Sequence, residues 1–179
     1  MDPNQKPQLG RRDLLKLGLG ASIALSTVGL TASLTGCTSE RSAPNFKILR
    51  ESDLPMLAAL YPIVVGPHPA FTESPDAVNK AIAQLDWTLE RTSPFVQKAV
   101  LDLLGMLSMP LTRGPLTGVW SDFAKATPEQ LHAFMQRWRD SRFDMLRQGH
   151  KTLSQLLLMS WYALPQSWAT TGYPGPPVI

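Results

Sequence analysis

The chain has 179 residues, with 17 Lys and Arg against 14 Asp and Glu, and a single cysteine. One cysteine excludes an internal disulfide, a CxxC zinc site and a CxxCH haem attachment. Four basic residues (Lys6, Arg11, Arg12, Lys16) and two acidic ones (Asp2, Asp13) precede position 37, so of the formal +3 only about +1 belongs to the rest, too little for the footprint of a nucleic-acid binder.

The chain opens with two export signals in series. Arg11-Arg12-Asp13-Leu14-Leu15-Lys16 has the form of a twin-arginine motif: paired Arg, an apolar pair, then Lys. Leu17 to Leu34 follows, 18 residues without charge, long enough to be weighed as a membrane span. Eight of those residues are Gly, Ser or Thr, which suits a leader better than a permanent anchor. Within it Gly18-Leu19-Gly20 hints at a dinucleotide loop, but position 23 is Ile and no strand precedes it. Leu34-Thr35-Gly36-Cys37 then reads as a lipobox, with cleavage before Cys37 and lipidation of its thiol. The alternatives are a buried free thiol or cleavage elsewhere with a soluble product. Residues 1–36 are therefore set aside as leader. The twin-arginine route carries proteins already folded, yet the remainder shows no cofactor motif that would demand folding first.

Cleavage leaves 143 residues, enough for one domain with a core. Residues 37–50 read as lipidated Cys and tether, small and polar from Thr38 to Asn45. Residues 51–164 read as a helical domain whose starts are marked by Ser74-Pro75-Asp76, Ser93-Pro94 and Thr127-Pro128-Glu129-Gln130, each a hydroxyl N-cap before Pro, the last a capping box. Ser52-Asp53-Leu54-Pro55 is a looser fourth start.

Apolar residues recur behind these caps at helical spacing. Leu57, Leu60, Tyr61 and Val64 form a short stripe interrupted by Pro62; Val78, Ala81, Ile82, Leu85 and Leu89 form a second. Phe95 to Leu107 is apolar on nearly all sides and predicts a central buried helix. Leu131, Phe134, Met135 and Trp138 make a fourth stripe, and Phe143, Leu146, Leu153, Leu156, Leu157, Trp161 and Leu164 a fifth. No stretch alternates with period two, so the expectation is an all-α bundle of about five helices, with a long connection over Met109–Gly118. Residues 165–179 hold four Pro, two Gly, two aromatics and no charge. They predict an extended arm that either packs over its own domain or docks on another protein.

Chemistry-bearing residues are sparse. His68, His132 and His150 show no ligand spacing, which leaves surface or capping roles. Asp86, Asp102 and Asp144 read as solvated or paired helix-surface charges, and no GxSxG elbow or free thiol nucleophile is present. Arg137, Arg139, Arg142 and Arg147 form a solvated run or contact an acidic partner. Trp87, Trp120, Trp138 and Trp161 fit apolar stripes or their ends, as core packing would explain. Gly149 before His150 suggests a close helix crossing or a bend.

Taken with the tail Trp161-Tyr162 through Trp168 to Gly172-Tyr173-Pro174-Gly175-Pro176, this chain resembles the small subunit of periplasmic FAD-dependent (GMC-type) dehydrogenases, the family named after subunit 3 of gluconate 2-dehydrogenase. The resemblance implies a compact helical body that binds no cofactor itself. It implies a large subunit that binds FAD, oxidises an alcohol, sugar or sterol, and lacks an export signal. The small subunit would carry it through the twin-arginine translocase, with a cytochrome c subunit often receiving the electrons. The tail residues named above would then be partner contacts. The lipobox departs from the commonest family pattern and leaves open a soluble or a membrane-held periplasmic complex. A competing reading is a free-standing periplasmic lipoprotein that binds a small ligand in a closed apolar pocket.

Overall fold

The computed structural model describes residues 41–175. The export residues Arg11, Arg12, Leu14, Leu15 and Lys16, the lipidation residue Cys37, and Pro176 of the tail lie outside these. The described residues are all-α. The helices are α1 (Leu54–Val65), α2 (Ala70–Glu73), α3 (Ala77–Glu90), α4 (Pro94–Ser108), α5 (Pro110–Thr117), α6 (Pro128–Arg139), α7 (Asp144–Tyr162) and α8 (Trp168–Thr171), with 3-10 turns at Phe123–Lys125 and Pro165–Ser167.

Local signals set several boundaries. Ser93 Oγ accepts from Val96 N at the start of α4, and Thr127 with Gln130 closes both halves of a capping box at α6. Ser74 does not cap α3, which begins at Ala77; its amide instead ends α2 by donating to the Ala70 carbonyl. Pro62 does not interrupt α1, which continues to Val65. Both Pro62 and Ala58, the residue whose carbonyl Pro62 leaves unpaired, are exposed, so water can take that bond.

α1 is the hub, burying Met56, Leu57, Leu60 and Tyr61 against α3, α6, α7 and the turn at Phe123. Tyr61, Phe123, Phe134 and Trp161 are fully buried, each a side chain whose burial contributes about 1.5–3 kcal/mol. The Tyr61 hydroxyl shares hydrogen bonds with the Ala81 carbonyl (2.9 Å) and Ser160 Oγ (2.6 Å), and burial pushes its pKa well above the ordinary value. α6 and α7 cross closely because position 149 is Gly: a Cβ there would come within 2.6 Å of the Trp138 ring.

Beyond Ser74 and Pro62, four expectations are corrected. α4 is not a buried central helix; only Val100, Leu104 and Leu107 are buried, while Phe95 is 82% exposed. A continuous apolar run does not say which stripe will find a neighbour, and α4 packs mainly against α5 and α3 at one edge. The connection over Met109–Gly118 is helix α5, started by Pro110 and ended by Gly118 in the left-handed region (φ 76°). Trp87 and Trp120 are not core: they are 51% and 76% exposed. The Arg91 guanidinium stacks over Trp87 at 3.7 Å, and the Trp120 ring lies flat against Gly114.

The fourth correction concerns the tether, because residues 41–50 belong to the domain. Ser42 bridges Arg50, Ala43 N donates to the Leu49 carbonyl, and Asn45 turns the chain with φ 67°. Three successive amides, Lys47, Ile48 and Leu49, donate to the Asp86 carboxylate at 2.8, 2.9 and 2.8 Å. Asp86 is thus a buried clamp and not a solvated charge. Next to it Arg50 forks onto the buried Asp53 and donates to the Leu101 carbonyl of α4 (2.8 Å).

Candidate partner-binding surface

The segment after α7 starts as a clasp and ends as an exposed aromatic patch. Residues 165–171 were expected to be extended, yet Pro165 opens a 3-10 turn and Trp168–Thr171 completes a helical turn. Pro is well suited to a first helical position, and the chain leaves the helix only at Gly172 (φ 70°). Gln166 Nε2 donates to the Ala77 carbonyl at 3.1 Å, and Ser167 is fully buried with its hydroxyl on the Leu164 carbonyl. His68 supplies a third tie. Ala70 N donates to its Nδ1, so Nε2 carries the proton and donates to Thr170 Oγ1 at 2.8 Å. Thr170 in turn donates to the Ser167 carbonyl.

Beyond this clasp Trp168 and Tyr173 meet edge to face, 5.4 Å between ring centres. Trp168 Nε1 donates to the Tyr162 carbonyl, Tyr173 N donates to the Trp168 carbonyl, and Gly175 (φ 102°) lies close against the Trp168 ring. Met159 and Tyr162, three residues apart on one face of α7, are exposed, as are Tyr173 and Pro174. Trp168 therefore gathers the Tyr162 carbonyl, Tyr173 and Gly175 around it, while Gly172 and Pro174 are exposed beside them in the chain. Trp161 does not belong to this group: it is wholly buried, stacked on Phe71 (4.6 Å) and under the edge of His68 (5.0 Å). Its place is structural, beneath the histidine that holds Thr170.

The tertiary fold also assembles a groove of about 420 Å³ between α1, α6 and α7, with Ile63, His132, Gln136, Arg139, His150 and Ser154 on its walls. It is open and polar-rimmed, unlike the closed apolar pocket that the ligand-binding reading expects. Burial lowers the His150 pKa below its ordinary value, and the nearby Arg139 charge adds to this while Asp140 opposes it. The two histidines come from different helices at no ligand spacing, so only the α6–α7 crossing could have shown them together. Two of the four arginines in the run are paired: Arg139 forks onto Asp140 and Arg147 binds Asp144. Arg113, read from sequence as part of a connection, is only 8% exposed. It lies 5.8 Å over the Phe123 ring, with its Nε unbonded and no carboxylate partner among the described residues.

Comparison of the whole chain with protein-family models, with curated proteins and with solved structures finds no match in any of the three.

Proposed function

We propose that this chain is a non-catalytic accessory subunit that escorts a folded, FAD-loaded dehydrogenase through the twin-arginine route and stabilises it in the periplasm. The observation that carries the reading is a leader for folded cargo, Arg11-Arg12 to Lys16, on a chain whose sequence has no cofactor motif of its own. The cargo that requires the route is then the partner. The exposed Tyr162 and Tyr173 beside the half-buried Trp168 support it, because preordered aromatic side chains on a polar-poor segment bind with little entropy loss. The clasp at Gln166, Ser167 and Thr170 would hold these side chains in place before the partner arrives. Cys37 would attach the complex to a membrane, and a cytochrome c subunit would take the electrons onward.

The test is export and co-purification. Replacing Arg11 and Arg12 together by Lys should strand both this chain and the flavoprotein in the cytoplasm, since Lys cannot reproduce the planar multi-donor guanidinium. Normal periplasmic delivery of the flavoprotein in that variant, or recovery of this chain from periplasmic extract as a stable monomer, would sink the proposal.

A further inference from the structure

We infer that the outer face of α4 and α5 rests on a phospholipid bilayer beside the anchored end of the chain; this depends on the reading of Cys37 as lipidated. Phe95 and Leu111 are 82% and 83% exposed, and Met106 and Met109 are 44% and 51% exposed. At 100° per residue, Phe95, Ala99 and Met106 share one stripe of α4, and Met109 and Leu111 are exposed where α4 passes into α5. The ion pair of Lys98 with Asp102 separates this stripe from the Leu101–Gly105 edge of the same helix. Large apolar side chains grouped in this way on a surface mark a contact site.

The chain's attachment says what covers it. Arg50 touches the Leu101 carbonyl and packs against Gly105, midway along α4. Arg50 is bridged to Ser42, so the described residues begin, at Arg41, next to the pair whose Arg50 side chain reaches the middle of α4. Cys37 is four residues upstream, so a fully extended link places its Cα at most about 14 Å from that of Arg41. Phe95 and Met106 lie six and five residues along α4 from Leu101, about 9 and 8 Å. An anchored Cys37 thus holds the bilayer near the side of the domain where Arg50 meets α4, the helix that carries the apolar stripe. Tethering raises the effective concentration of lipid at this face, so a contact too weak to hold a free protein persists. Arg41, Lys47 and Lys98 are exposed, and basic side chains near a bilayer are drawn to its lipid phosphates. No helix among the described residues is long and apolar enough to cross a membrane, so the contact is interfacial.

In the mature chain lipidation occupies the only native thiol, so an introduced cysteine can be labelled alone. The lipidated chain would be placed in phosphatidylethanolamine–phosphatidylglycerol vesicles with an environment-sensitive fluorophore on Ala99→Cys, or on Gln148→Cys of α7 as the control. The expected result is a blue shift and quenching by brominated lipid at position 99, both lacking at position 148. Adding Phe95→Ser and Leu111→Ser, both solvent-facing and harmless to the fold, should reverse the shift at 99 while the lipid keeps the protein on the vesicles. A water-exposed label at 99 on vesicle-bound protein overturns the inference. So does shielding that grows with protein concentration without vesicles, which marks a contact between copies, or shielding that needs the purified flavoprotein. Mass spectrometry of Cys37 separates these from failure of the premise: an unlipidated thiol removes the anchor and the inference together, whatever the label reports.

Discussion

Asp86→Asn is the sharpest probe of how residues 47–49, ahead of the first helix, are fixed to the helices. The wild-type carboxylate accepts from three amides: Oδ1 from Ile48 and Leu49, and Oδ2 from Lys47. Asn can keep the Oδ1 pair, but its NH2 group then faces the Lys47 N–H, donor against donor. Losing one charge-assisted bond removes about 1.5–3 kcal/mol, and weakening two others to neutral strength adds roughly 1 kcal/mol, for a total near 3. With an unfolding entropy of about 2.1 cal/mol/K per residue, a domain of this size loses about 10 °C in Tm. The assay is thermal unfolding of the purified mature chain, with hydrogen exchange at Lys47, Ile48 and Leu49 as the local readout. Those amides should exchange near the intrinsic rate while α6 and α7 keep their protection. A Tm drop under about 2 °C with unchanged protection at Leu49 would refute the clamp, because less than 1 kcal/mol would then rest on three bonds.

Truncation should divide the C-terminal segment at Gly172. Removing residues 172–179 should leave Tm nearly unchanged, whereas removal from Pro165 should cost about 2 kcal/mol through the lost Gln166 and Thr170 bonds, and more as Trp161 is uncovered. Trp168→Ala and Tyr173→Ala should each weaken partner association by about tenfold or more with little change in Tm, read by titration calorimetry. His150 predicts a pH effect. Its folded pKa lies below 6.5, so the unfolded chain takes up the proton first; its contribution is intact above 6.5 and is lost as pH falls through the folded value. His150→Gln should flatten Tm against pH between about 8 and 5 relative to wild type, and identical slopes would contradict the assignment. Arg113→Met should be neutral or stabilising by about 1 kcal/mol, since the stem's packing survives and a buried Nε–H that has no acceptor among the described residues goes. A marked fall in Tm would mean that the charge has a partner in the folded chain.

What the sequence determined by itself is what depends on neighbours within one turn. Ser93 and Thr127 cap their helices because the donors they satisfy are three residues away, and Gly149 announced a close crossing because only a missing Cβ admits the Trp138 ring. The apolar periodicities of α1, α3, α6 and α7 likewise named most of the core, since one stripe per helix had to be buried. The proposed leader rests on linear motifs and is read from the sequence alone.

Tertiary structure decided everything that joins distant positions. Asp86 looks like any helix carboxylate until the loop 37 residues upstream of it brings Leu49 N onto it. His68 looks like a loop histidine until Thr170, 102 residues away, meets it and turns a Pro-rich arm into a clasp. Trp161 and Tyr162 are adjacent in sequence, yet the first is sealed in the core and the second faces solvent. Composition marks both as apolar, but a helix has two sides, and only packing against α1 and α3 selects which one loses its water.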